Sequence, residues 1–164
     1  MSDKRISKKI ILVGNVGVGK SSLIRQYVTG IFNNNYITTI GVKIDRKEAV
    51  LEGTTVSMII WDIAGEIRQN QVPKNYYLGS HGVIYVVDLS RPETFENVLP
   101  DIDYLKTLIP DAKFQIVGNK KDLYADEEIE LIKKNHGLNP DFLTSAKTSE
   151  NVEDLFTHLA TSLL

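Results

Sequence analysis

The chain has no cysteine among its 164 residues. That excludes disulfides, a cysteine-ligated zinc site and a prenyl or palmitoyl anchor on the residues given. It has no positive excess either: 19 Lys and Arg stand against 21 Asp and Glu, a net charge of −2. Nucleic-acid-binding domains carry a basic field, so no nucleic-acid partner is expected. The one basic cluster, KRISKK at Lys4 to Lys9, reads as a solvated lead-in to the first strand. Long apolar runs are also missing. The first, IILV at Ile10 to Val13, is far too short for a signal sequence or a membrane span. No repeat or low-complexity tract is present. With 42% hydrophobic and 24% charged residues, the expectation is one cytoplasmic globular domain over residues 1–164, monomeric, with one core.

Strand-like apolar runs alternate with helical periodicities, which means an α/β fold. KKIILVG (Lys8 to Gly14) is a buried strand, and KSSLIRQYVTG (Lys20 to Gly30) puts Leu23, Ile24, Tyr27 and Val28 on one helical face before a C-terminal glycine. VKIDRKEAVLEGTTVSMIIWD reads as a hairpin about Glu52-Gly53, placing one antiparallel strand in an otherwise parallel sheet. GVIYVVDLS is another strand, and Ser90-Arg91-Pro92-Glu93 reads as a capping box opening a helix that carries Phe95, Val98, Ile102 and Leu105 and ends before Pro110. KFQIVGNKKD and PDFLTSAK supply two more strands with their exit loops. ADEEIELIKKNHG, with acids first and bases last, forms a helix capped by Gly137. The closing helix stripes Val152, Leu155, Phe156, Leu159 and Leu163, a face that reads as core.

The loop between the first strand and helix is GNVGVGKS, Gly14 to Ser21, which fits G-x-x-x-x-G-K-[ST]. Its glycines let backbone N–H groups close around a phosphate, Lys20 brings a charge to the outer oxygens, and Ser21 offers its hydroxyl to Mg²⁺. WDIAGEIRQ, Trp61 to Gln69, follows the strand TVSMII. In P-loop folds a second strand ends in an aspartate that reaches the metal, here Asp62. Gly65 has no side chain to keep its N–H from a terminal phosphate, so the turn can detect whether that phosphate is there. NKKD, Asn119 to Asp122, leaves another strand on the carboxyl-end edge where α/β ligands bind. A carboxylate such as Asp122 accepts both donors of guanine's N1–H and N2–H₂ edge, a pair adenine lacks. Asn119 would brace the loops, the stem of Lys120 lies along the purine, and Ala146 of the SAK run Ser145 to Lys147 offers its N–H to the guanine oxygen.

In this order and at these spacings GNVGVGKSS, ITTIGVKI, WDIAGEIR, YYLGSHGV, NKKDL and TSAK resemble the Ras-superfamily small GTPases over nearly the whole chain. FNNNYITTIGV, Trp61 after the hairpin, and Tyr76-Tyr77 are most similar to the Rab branch. The resemblance implies a six-stranded, mostly parallel sheet with one antiparallel strand and five helices on its two faces. It also implies GTP and GDP as ligands, Mg²⁺ as cofactor, and a role as a molecular switch in vesicle trafficking. The nucleotide contacts it implies are Asn15, Val16, Gly17, Val18, Gly19, Lys20, Ser21 and Ser22 in the loop, then Phe32, Tyr36, Thr38 and Thr39, then Gly65, and finally Asn119, Lys120, Asp122, Leu123, Ser145, Ala146 and Lys147. It assigns Ser21, Thr39 and Asp62 to the metal, and Lys20, Thr39, Gly65 and position 66 to hydrolysis. Ile44, Trp61 and Tyr76 fall where Rabs form an apolar effector patch; simple packing explains them as well. Exchange factors and activating proteins are implied as further partners. The family's lipidated tail follows the last helix, and peripheral membrane association is expected only if such a tail continues past Leu164.

Several residues depart from the family pattern. Glu66 stands where the family has the glutamine that orients the attacking water. An ionised glutamate only accepts hydrogen bonds, and its charge opposes the phosphate by on the order of a few kcal/mol before screening. A general-base role for Glu66 is the competing reading. Val16 crowds the place where water and an activator's arginine must fit. Ile63 replaces the usual threonine, and with Ile67 and Gln69 it is expected to give the second switch a different surface. Phe114, Tyr104, His81, His136 and His158 match no catalytic pattern. Two function classes therefore stand side by side: a slow GTPase switch, and a GTP-locked platform for effectors. An ATP-using P-loop kinase is disfavoured by Asp122.

Overall fold

The computed structural model describes residues 4–32, 41–65 and 68–164. Its strands are β1 (Lys4–Val13), β2 (Val42–Leu51), β3 (Thr54–Ile63), β4 (Gly82–Asp88), β5 (Lys113–Asn119) and β6 (Phe142–Leu143). They form one sheet in the order β2-β3-β1-β4-β5-β6. β2 runs antiparallel to β3, and every other pairing is parallel. The helices are α1 (Lys20–Thr29), α2 (Val98–Leu108), α3 (Asp126–His136) and α4 (Val152–Ser162).

The period of two in the strands sorts the core onto two faces. Ile10 and Leu12 of β1 and Ile84 and Val86 of β4 pack with Leu23, Ile24 and Tyr27 of α1 and Leu155, Phe156 and Leu159 of α4. The alternate residues Ile11, Val13, Val83, Tyr85 and Val87 pack with Val98, Ile102 and Leu105 of α2 and Ile129 of α3. β4 is buried along its whole length, as a central parallel strand with both faces covered must be. Tyr27 and Phe156 stack at 4.1 Å, tying α1 to α4.

Three sequence expectations need correction. The basic cluster is no lead-in: β1 begins at Lys4, which pairs with Thr54, and Arg5 reaches Glu48 at 2.9 Å. Ser90 to Glu93 form no capping box. The turn there is N-capped by Arg91 with no side-chain cap; the Ser90 hydroxyl points to Asp88 Oδ1, donating at 2.6 Å, and Glu93 accepts from Arg91 Nε at 3.2 Å. A 3-10 turn covers Pro92–Phe95, and α2 starts only at Val98. Finally, the described residues hold four α-helices rather than five. Residues 69–76 make two 3-10 turns, Gln69–Gln71 and Lys74–Tyr76, split by Val72 and Pro73 in extended conformation. Proline lacks the N–H a continuous helix needs and pushes the residue before it out of the helical region.

Candidate functional site

Because β1, β3, β5 and β6 are parallel through the shared pairings, their carboxyl ends share one edge of the sheet. Val13, Ile63, Asn119 and Leu143 end these strands, so the loops starting at Gly14, Ala64, Lys120 and Thr144 meet there. This topology gathers segments that lie far apart in sequence.

The loop from β1 into α1 is shaped by its glycines. Gly19 has φ +106°, and a Cβ built there would lie 2.2 Å from Asn119 Nδ2. Only glycine allows both the left-handed backbone and that contact. Lys20 folds back under the loop, donating to Gly14 O at 2.8 Å and Asn15 O at 3.0 Å, and it is only 6% exposed. Burial pushes its pKa down to about 8, against the pull of the nearby Asp62 carboxylate in the other direction. A buried ammonium favours an anionic neighbour, which would raise its pKa again. Asp62, at the end of β3 and 1% exposed, accepts a short hydrogen bond from the Ser21 hydroxyl.

Among the described residues no group of three or more His, Cys, Asp or Glu side chains could hold a metal. The Ser21–Asp62 pair fits a hard cation that takes one or two protein oxygens and keeps much of its own water, as Mg²⁺ does. Gly65 rests on this same loop: a Cβ there would come within 2.3 Å of Gly14 O and 2.5 Å of Val16 N. Any side chain at 65 would force the turn away from the loop.

At the other end of the edge, Asn119 connects three segments. Its Nδ2 donates to Val18 O at 3.0 Å, and its Oδ1 accepts from Thr144 Oγ1 at 3.1 Å and from Ala146 N at 3.2 Å. Asp122 Oδ1 accepts from the Ser145 hydroxyl at 2.8 Å, leaving the exposed carboxylate fixed in direction. Lys120 adopts φ +70°, and its ammonium meets the fully buried Asp88 carboxylate at 2.8 Å. Leu123 and Lys147 are exposed beside them, and Ser22 is half-buried on α1. Phe32 packs, partly buried, against the α1–α4 side of the core. Tyr36, Thr38, Thr39, Glu66 and Ile67 lie outside the described residues.

Ile44 of β2 sits opposite Trp61 of β3 and is 51% exposed. The Trp61 and Tyr76 rings lie 6.3 Å apart, both half-buried, so the three residues form one contiguous surface. The Lys9 ammonium sits 3.9 Å from the Trp61 ring centre, a cover the sequence did not suggest. The expected change of surface at Ile63 and Gln69 is not there, because both are buried, at 1% and 3% exposure. Ile63 packs into the core on the α2 side, and Gln69 Oε1 accepts from Tyr77 OH at 2.5 Å. The histidines serve packing: His81 Nδ1 accepts the Lys9 N–H, His136 meets Phe95 edge-on, and His158 meets Phe142 and Gln115.

Sequence reasoning missed two residues at the site. Arg91 Nη1 donates to Val16 O at 2.9 Å across 75 residues, and Asp88 anchors both Ser90 and Lys120. Asp88 ends a strand on the same edge as Asn119, which was a usable signal; Arg91 carried none.

The model of the Ras family matches residues 9–164. The GTP-binding protein YPT1 of Saccharomyces cerevisiae is 40% identical over 159 residues, covering 93% of this chain and 76% of the yeast protein. The Ras-related protein Rab-1A of Dictyostelium discoideum is 37% identical over 162 residues, 94% of this chain and 79% of its own. The Ras-related protein Rab-13 of Mesocricetus auratus is 34% identical over 165 residues, 95% and 79% of the two chains. Read with the phosphate-type loop, the buried lysine and the Asn119–Asp122 cluster on one sheet edge, these matches show that the chain belongs to the Ras family of small GTPases, in its Rab branch.

Proposed function

We propose that residues 1–164 act as one guanine-nucleotide domain that holds GTP or GDP across the carboxyl edge of the sheet and hydrolyses GTP slowly. The observation that carries this reading is the Asn119 side chain, which joins the Val18 carbonyl to Ala146 and so links the phosphate end of the edge to the base end. The N–H groups of residues 15–22 and the Lys20 ammonium would take the phosphates, and Asp122 the N1–H and N2–H₂ of guanine. Ser145, Ala146 and Lys147 would close over the base, with Lys120 and Phe32 along its faces. Ser21 and Asp62, with Thr39 from outside the described residues, would hold Mg²⁺, which when bound neutralises charge on the phosphate oxygens. Gly65 would present its N–H to the terminal phosphate.

Slow turnover follows from two side chains. Glu66 accepts but cannot donate, so it orients water poorly and repels the phosphate. Val16 narrows the approach of an activator's arginine, and the Arg91 guanidinium on the Val16 carbonyl crowds it further. That crowding also favours the second reading, a persistently GTP-bound platform for effectors docking on Ile44, Trp61 and Tyr76. An intact Ras-type site turns over at about 10⁻⁴ per second unaided. Here single-turnover hydrolysis should be about tenfold slower or more, Glu66→Gln should raise it, and Glu66→Gln with Val16→Gly should restore stimulation by an activating protein. An ordinary family rate in the wild type, slowed by Glu66→Gln, would make the glutamate a working base and overturn the proposal. Nucleotide extracted from the purified protein separates the readings: GTP supports the platform, GDP the cycling switch. Attachment to membranes through a lipidated tail, and work in vesicle traffic, would come with the family; no helix among the described residues is long and apolar enough to cross a membrane.

A further inference from the structure

The α2 face of the core contains a buried carboxylate that the nucleotide reading does not use. Asp101, on α2, is 4% exposed among Ile102, Leu105, Val98 and Tyr85. Both of its oxygens are taken: Oδ1 accepts from Arg68 Nη2 at 3.0 Å, and Oδ2 from Tyr85 OH at 2.7 Å. Arg68 stands three residues after Gly65 and opens the 3-10 turn in which Gln69 is fixed by Tyr77 OH. A cavity of about 140 Å³ is lined jointly by Gly14, Asn15 and Gly65 and by Arg68 and Asp101. Gly65 is thus held by close packing on the loop, and Arg68, three residues on, by a charge pair to α2.

Asp101 is buried while the Arg68 side chain is 46% exposed, so the pair contributes little net stability: desolvation of the carboxylate and solvent screening of the guanidinium offset most of the attraction. What such a pair does supply is a fixed position, and here the part positioned is Arg68, three residues along the chain from Gly65. We propose that Asp101 is a positioning residue for the terminal-phosphate site: through Arg68 it sets how closely the Gly65 N–H approaches that phosphate. Tyr85 fixes the carboxylate rotamer, and Arg68 transmits it to the backbone. The proposal rests on the reading of Gly65 given under Proposed function. The diphosphate lacks the group that Gly65 would face, so loosening the pair should weaken triphosphate binding alone.

The test measures dissociation of a fluorescent non-hydrolysable GTP analogue and of fluorescent GDP from wild type, Asp101→Leu, Tyr85→Phe, and Arg68→Met combined with Asp101→Leu. Asp101→Leu should speed loss of the triphosphate analogue by about tenfold and change GDP release by less than about twofold. Tyr85→Phe should act in the same direction by about threefold. The double variant removes both charges but leaves the buried Tyr85 hydroxyl without its acceptor, so it should stay folded with a lowered melting temperature while its triphosphate loss stays fast. Equal acceleration for both nucleotides, or slow triphosphate release from a folded Asp101→Leu, overturns the proposal. Gly65→Ala separates the two layers. If it removes triphosphate preference and Asp101→Leu does not, the role of Asp101 falls alone; if Gly65→Ala also leaves the preference intact, the reading of Gly65 falls and the proposal with it.

Discussion

The two ends of the sheet edge are built from different chemistry. At the Asn119 end the work is done by side chains that satisfy one another: Asn119 bridges Val18, Thr144 and Ala146, Ser145 orients Asp122, and Asp88 holds Lys120. At the glycine-loop end, among the described residues, Lys20, Ser21, Asp62 and Arg91 bring side chains, and the shape comes from backbone conformations such as that of Gly19 and the approach of Gly65. A side-chain site can be edited one group at a time, whereas a backbone site fails when any added atom collides. The contrast predicts all-or-none substitutions at one end and graded ones at the other.

Gly19→Ala should be the most damaging change, since it combines a left-handed backbone with a Cβ 2.2 Å from Asn119 Nδ2. A cost of about 3–5 kcal/mol is expected from strain and overpacking together, read as a lowered midpoint in urea unfolding along with loss of nucleotide binding. A stable Gly19→Ala protein that still binds GTP would erase the distinction between the two ends. Asn119→Ala leaves Val18 O, Thr144 Oγ1 and Ala146 N without their partner, and should cost about 2–4 kcal/mol in the same assay.

Asp122→Asn sharpens the comparison, because the amide still accepts from Ser145 while presenting a donor to the base. Stability should stay within about 0.5 kcal/mol, yet guanine affinity should fall by about 2–3 kcal/mol and preference move towards xanthine nucleotides. Titration calorimetry with GDP and XDP checks it; equal affinity of the wild type for ATP and GTP would remove the assigned role. Ser145→Ala should be the mildest, costing about 1 kcal/mol or less. Its effect should appear as a modest fall in guanine affinity as the Asp122 carboxylate loses its orienting donor.

The legibility of the sequence follows the same division. GNVGVGKS and NKKD stand out because each packs its pattern into a few consecutive residues, and the structure puts both on one sheet edge; the strands and α1, α3 and α4 could be read from period and caps. The start of α2 could not. Ser90 and Glu93 have the spacing of a capping box, but Asp88 and Arg91 compete for their side chains from within the same turn. The charged opening of β1 is exposed, as expected, but did not read as strand because its partner strand, from Thr54 onward, is fifty residues away. Asp101, Arg68 and Tyr85 were invisible for the same reason: a buried carboxylate is identified by its partners, and these come from three separate elements. The burial of Gln69 likewise depended on a tyrosine hydroxyl that sequence spacing does not reveal.

The hydrogen bond from Asn119 to Val18 spans 101 residues of chain. Closing so long a loop costs entropy that local contacts do not offset, so such a contact belongs late in folding, after β1, β4 and β5 have aligned. Interactions made after the transition state govern the rate of unfolding and leave the rate of folding nearly unchanged. Asn119→Ala should therefore steepen loss of the native state in stopped-flow unfolding without slowing refolding; an equal slowing of refolding would place the contact in the nucleus instead. A ligand bridging the same two loops would then lengthen the lifetime of the folded protein without hastening its formation, acting as a lock on a door that the sheet has already closed.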